Sequence, residues 1–108
     1  MTDKVLIPLY ENDVAPRFDL ATDILITQLL DGKEKEKIIV LPQASSEELC
    51  HLIITESIDT LICGGIEEEY YQYLVWKKIK IMDSVIGSWK SVIQAFRTNR
   101  LTSGAILR

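Results

Sequence analysis

Residues 5–10 read VLIPLY and carry no charged side chain. Successive side chains of a β-strand point to opposite faces. A strand apolar on both faces is a buried central strand, and both faces of its sheet need cover. Pro8 is the one blemish, because it has no N–H for a sheet ladder. It points to a bulge or to the strand's end.

The remaining elements are read outward from this strand. Residues 23–30 form a second strand, and Asp31-Gly32 after it is a strong hairpin signal. Residues 33–41 follow as a third strand. Its first half, KEKEK, has the charged character by which an edge strand discourages pairing with another molecule. Pro42 ends it. Ser45-Ser46-Glu47-Glu48 is a capping box, so a helix starts there and ends near Ser57, with Leu49, Leu52 and Ile53 inward. TLIC at residues 60–63 is a fourth strand, broken by Gly64-Gly65. Residues 67–78 form a second helix with three acids leading and two lysines closing, in accord with its dipole. Residues 79–83 are a short fifth strand, and a third helix runs over residues 89–98. Residues 99–108 read as a flexible tail.

The order βββαβαβα places a meander before two crossovers, which are right-handed and make parallel neighbours. The expected architecture is a three-layer α/β/α fold with a five-stranded mixed sheet in the order 3-2-1-4-5. The 108 residues fit one domain spanning 1–108. Hydrophobic residues at 47% and charged residues at 26% describe a globular chain, and the net charge of −4 argues against a nucleic-acid surface. No apolar run reaches membrane-spanning length. Without an export signal, Cys50 and Cys63 are expected to be reduced thiols of a cytoplasmic protein.

Three segments occur together in order: VAPRFDLA after the first strand, LICGGI after the fourth, and VIGSWKSVIQAF entering the last helix. With the Asp-Gly hairpin they resemble the dinitrogenase iron-molybdenum cofactor biosynthesis family over residues 5–101. The resemblance implies a ribonuclease H-like motif. It also implies a small non-enzymatic carrier or chaperone of iron–sulfur or iron–molybdenum cofactor precursors. Many relatives have a histidine where this chain has Arg17. The alternative is therefore a metal-free regulatory or protein-interaction domain that retains the fold. The implied partners are an anionic cofactor precursor or another protein, without nucleic acid or membrane.

The three motif loops follow strands expected to be parallel neighbours, so they should converge on one rim. There the chain reverses direction across the sheet, the usual ligand position in open α/β sheets. The candidate site comprises Arg17, Phe18, Cys63, Gly64, Gly65, Gly87 and Ser88. Arg17 offers a permanent cation with a fork of donors to an anion, or it pairs with a nearby acid. Phe18 belongs to this loop or opens the second strand. Gly64-Gly65 cradles an anion or makes a tight turn. Glu67, Glu68 and Glu69 weigh for the turn, since they already occupy that helix N-terminus. Gly87-Ser88 is the better anion site, with Lys90 nearby and no acid in the first turn, or else Ser88 is an ordinary N-cap.

Cys63 is a ligand or a structural residue, and one thiolate makes no closed metal site. Cys50 and His51 are adjacent on a helix and do not form a ligand pair. Tyr70, Tyr71, Tyr73 and Trp76 are core residues or a partner interface. The sequence contains no nucleophile motif, histidine–acid pair or nucleotide-type phosphate loop.

Overall fold

The computed structural model describes residues 3–107. Its centre is β1 (Lys4–Tyr10), as the VLIPLY run requires. β3 (Asp23–Leu30) lies antiparallel to β1, and β4 (Lys33–Val40) lies antiparallel to β3. On the other side, β5 (Thr60–Ile62) is parallel to β1 and β6 (Lys80–Met82) is parallel to β5. The main order β4-β3-β1-β5-β6 matches the expected 3-2-1-4-5. The five-strand expectation is corrected to six among the described residues. The extra strand, β2 (Asp13–Val14), folds back on Leu9 and Tyr10 through a turn at Glu11, whose φ is 56°.

Pro8 costs the ladder with β3 nothing. The N–H and C=O of a strand residue point to the same side. The Pro8 carbonyl accepts from the Ala15 N–H at 2.8 Å, on the edge away from β3. The pairing with β5 has already ended at Leu6 and Leu61. Pro8 has no N–H to extend that parallel ladder by the next rung, so the β1–β5 pairing stops just before it.

Alternation along the strands feeds two separate cores. Leu6, Ile24, Ile26 and Leu61 pack with Leu49, Cys50 and Ile53 of α1 (Ser46–Thr55) and Leu74 of α2 (Glu68–Trp76). Val5, Ile7, Leu25 and Ile62 pack with Val92, Ile93 and Phe96 of α3 (Trp89–Arg97). The caps fall where expected: Ser45 accepts from the Glu48 N–H at 3.2 Å, and Ser88 accepts from the Ser91 N–H at 3.3 Å. The Asp-Gly hairpin has φ of 51° at Asp31 and 77° at Gly32, the double positive turn that suits twisted strands.

Two expectations need correction. Residues 99–107 are not a free tail. Leu101 is buried, Gly104 N–H donates to Asp83 C=O at 2.9 Å, and Ile86 N–H donates to Ala105 C=O at 2.9 Å. Arg108, the last residue of that expected tail, lies outside the described residues. The KEKEK segment is also more than a solvated edge. Glu34 reaches the α3 face, where Arg97 Nε donates to its Oε1 at 2.5 Å and Thr27 Oγ1 donates to its Oε2 at 2.6 Å.

That cluster makes stability depend on acid. Burial pushes the Glu34 carboxyl up, but the Arg97 and Thr27 hydrogen bonds and the Arg97 charge outweigh it and leave the group below its ordinary 4.5. A depressed carboxyl contributes stability that is present above the unfolded value and is lost as pH falls through the folded one. Glu34→Gln should therefore be less stable than the parent near neutral pH, by about 1–3 kcal/mol. Denaturant titrations at several pH values should show the gap closing below pH 4.5.

Candidate functional site

The three loops do converge, and backbone hydrogen bonds hold them together. Gly65 N–H donates to Pro16 C=O at 2.7 Å, and Phe18 N–H donates back to Gly65 C=O at 2.8 Å. Arg17 and Gly65 thus form a parallel bridge. Val14 N–H donates to Gly87 C=O at 2.9 Å, and Trp89 N–H donates to Asn12 C=O at 3.0 Å. Ser84 N–H donates to Gly64 C=O at 2.9 Å. Leu107 N–H donates to Ile86 C=O at 2.7 Å, which adds the C-terminal segment to the rim.

An open groove of about 720 Å³ lies on this rim. Its walls include Tyr10, Asp13, Pro16, Gly64, Gly65, Ile86, Gly87, Ser88 and Leu107. Asp13 is its only charged lining residue among the described residues. A second hollow of about 550 Å³ shares Tyr10 and Pro16 and is lined by Arg17, Leu20 and Asp23, among others.

The candidate residues divide between these places. Gly64, Gly65, Gly87 and Ser88 line the groove. Gly64 is required by close approach: a Cβ there would sit 2.4 Å from Ala15 O and 2.5 Å from Pro16 O. Gly87 has φ of 146°, and a Cβ would meet Leu107 O at 2.7 Å. Phe18 is 1% exposed and belongs to the core. It opens a short 3-10 turn, Phe18–Leu20, rather than a strand. Arg17 faces the second hollow. Its side chain is 60% exposed and held bidentately by Asp19, at 3.0 Å from Nε and 2.6 Å from Nη2. Pairing with a nearby acid is therefore the alternative that holds.

Three amides of the expected anion cradle are taken from within. The Gly65 amide is taken by Pro16. In the first turn of α3, the Trp89 amide is taken by Asn12 and the Ser91 amide by Ser88. Lys90 places its Nζ 5.7 Å over the Trp89 ring and does not line the groove. Cys63 is fully buried, and burial, with the Asp83 charge beside it, pushes its thiol up to about 12. Burial also pushes Cys50 up to about 11. Among the described residues no group of three His, Cys, Asp or Glu side chains could hold a metal ion. The residues present do not fit direct coordination of a cluster.

Sequence reasoning missed Tyr10, Asp13 and Leu107. Tyr10 and Asp13 had a usable signal, since they flank the turn after the central strand. Leu107 had none, because backbone bonds place it.

These assignments have measurable consequences. Arg17→Ala should change the melting temperature little, as an exposed ion pair warrants. Gly64→Ala should cost about 1–3 kcal/mol, because backbone must move. Cys63 should resist alkylation at neutral pH in the folded protein and react once denatured, since the thiolate is the nucleophile.

No protein-family model and no curated protein sequence matches the chain. Solved structures do. The crystal structure of PH0822 matches over 93% of each chain with a TM-score of 0.83 and 18% identity. A candidate dinitrogenase from Methanocaldococcus jannaschii matches over 94% of each chain with a TM-score of 0.76 and 25% identity. The apo form of the orange protein from Desulfovibrio gigas matches over 95% of this chain and 93% of that one, with a TM-score of 0.74 and 15% identity. The chain shares its fold with all three, and the likeness to the dinitrogenase candidate sets it, at a coarse level, beside nitrogenase-related proteins.

Proposed function

We propose that this chain is a small non-enzymatic binding module that carries an iron–sulfur or iron–molybdenum cofactor precursor in the rim groove. The observation that carries the reading is the groove's position. It lies beyond the C-terminal ends of the parallel β1, β5 and β6, where three loops close on one another. The likeness to a candidate dinitrogenase and to a protein with an apo form supports cofactor-related cargo. The two separate cores support a three-layer α/β/α reading of the fold, and the ribonuclease H-like motif belongs to the same proposal.

The groove's chemistry restricts how cargo is held. Its walls offer the hydroxyls of Tyr10, Ser84 and Ser88, the carboxylate of Asp13, and apolar surface from Pro16, Ile86 and Leu107. The sealed thiol of Cys63 is no ligand at neutral pH. Cargo therefore arrives assembled, with its own inorganic ligands, and is held by shape and hydrogen bonds. No histidine lines the groove to activate a hydroxyl, which supports binding rather than catalysis. The lack of a coordinating trio among the described residues favours one second reading: an interaction domain that keeps the fold and binds no cluster.

Anaerobic incubation with ferrous iron, sulfide and tetrathiomolybdate, then desalting and metal analysis, separates the two. Carriage predicts retained metal, equal retention by Cys63→Ala, and loss in Ile86→Glu. No retained metal in the parent protein favours the interaction domain. Loss in Cys63→Ala overturns uncoordinated binding.

A further inference from the structure

α2 buries one residue fully, Leu74, and presents a stripe to solvent on its outer side. Glu69, Gln72, Tyr73 and Trp76 are all exposed and recur at i, i+3, i+4 and i+7, which is one helix face. Trp76 is 73% exposed, the most of any large hydrophobic residue described. Its ring centroid lies 6.3 Å from that of Tyr73, and Lys77 Nζ sits 4.9 Å over it. Beside the stripe is a hollow of about 500 Å³, walled by Glu69, Tyr70 and Tyr73 of α2 and by Glu47, Cys50 and His51 of α1. A knob and a hollow thus lie on the same surface, displaced from each other along one helix.

We propose that two copies of this chain associate through α2, antiparallel across a two-fold axis at Tyr73. A two-fold interface uses the same patch twice and has to be self-complementary. With the axis at Tyr73, that residue meets its own copy. Three residues toward the N-terminus, Tyr70 faces Trp76 of the second copy, so each indole enters the other copy's hollow. Four residues away, Glu69 faces Lys77 of the second copy.

Charge selects this arrangement. Glu67, Glu68 and Glu69 stand at one end of α2, and Lys77, Lys78 and Lys80 follow the other. Antiparallel pairing brings opposite ends and opposite helix dipoles together, whereas parallel pairing sets acid against acid. Glu69 and Lys77 have no salt bridge within the chain among the described residues, and the Lys77 ammonium rests only on the Tyr73 and Trp76 rings of the same stripe.

The open edge of β4 is a poorer self-partner. The register places Lys33, Lys35 and Lys37 on one face of the sheet and Glu34 and Glu36 on the other. Antiparallel self-pairing centred on this segment opposes lysine to lysine and glutamate to glutamate.

α2 has nine residues, a length of about 14 Å. A contact of that size is small for a stable complex, so the association is weak and depends on concentration.

Sedimentation of the full chain over a concentration series into the millimolar range tests this. A monomer–dimer equilibrium is expected, with Trp76→Ala abolishing the dimer. Glu69→Lys alone and Lys77→Glu alone should each weaken it about tenfold, because each sets like charges together. The double variant should regain the parent's affinity, which loss of fold cannot mimic. A chain that stays monomeric throughout overturns the proposal. So does a dimer that ignores these substitutions, or a double variant that is not restored.

Discussion

The architecture of the rim depends on one clasp between backbones. Gly65 N–H donates to Pro16 C=O at 2.7 Å and its own C=O accepts from Phe18 N–H at 2.8 Å, and this is possible only because residue 64 has no side chain. A Cβ at 64 would stand within van der Waals overlap of two carbonyl oxygens. The clasp draws residues 14–18 down onto the end of β5. That drives Phe18 into the core beside Ala15 and Cys63. It also leaves Asp13 and Val14 in line to fold back on β1 and to meet Ser88 and Gly87. An apolar ring in a loop, puzzling in sequence, becomes the anchor of the loop.

Among the described residues no lysine or arginine lines the groove. Four cations of the chain are committed to ion pairs away from the groove. Arg97 and Glu34 join α3 to the edge strand, Lys37 and Lys4 both reach Glu56, and Arg17 is clamped by Asp19. Of the amides that a helix N-terminus or a glycine turn would offer to an anion, those of Gly65 and Trp89 bind the loops to one another and that of Ser91 goes to the Ser88 cap. A site can be rigid because its own backbone donors are satisfied, or it can offer those donors to a ligand. The groove takes the first course, which leaves recognition to hydroxyls, one carboxylate and apolar walls.

Legibility in the sequence followed the kind of force involved. Burial periodicity and turn chemistry are local, so the two-faced apolar run, the Asp-Gly hairpin, the Ser45 and Ser88 caps and the order of the five main strands could all be read. β2 could not, because two residues carry no period. Nor could the C-terminal segment. Thr102, Ser103 and Gly104 have the composition of a frayed end, yet what fixes the segment is long-range: Gly104 and Ala105 pair by backbone with Asp83 and Ile86, and the Ser103 hydroxyl accepts from the Asp83 N–H. Sequence left Arg17 two readings, an anion or a nearby acid, and the structure pairs it with Asp19. Which of several acids an arginine meets depends on the turn that follows, and the 3-10 turn at Phe18 brings Asp19 under it.

Cys63 shows how far such a correction reaches. A thiol at a strand end beside two glycines has the placement of a ligand, and sequence leaves both readings open. The clasp decides between them. By pressing residues 14–18 onto Gly64, it covers Cys63 completely, and burial then holds the thiol in its protonated form far above neutral pH. Uncovering it would require opening the Pro16–Gly65 bonds and lifting Phe18 out of the core. Ligation by Cys63 and integrity of the groove are therefore mutually exclusive states of the same loop. Whatever the groove binds, it binds with the thiol shut away.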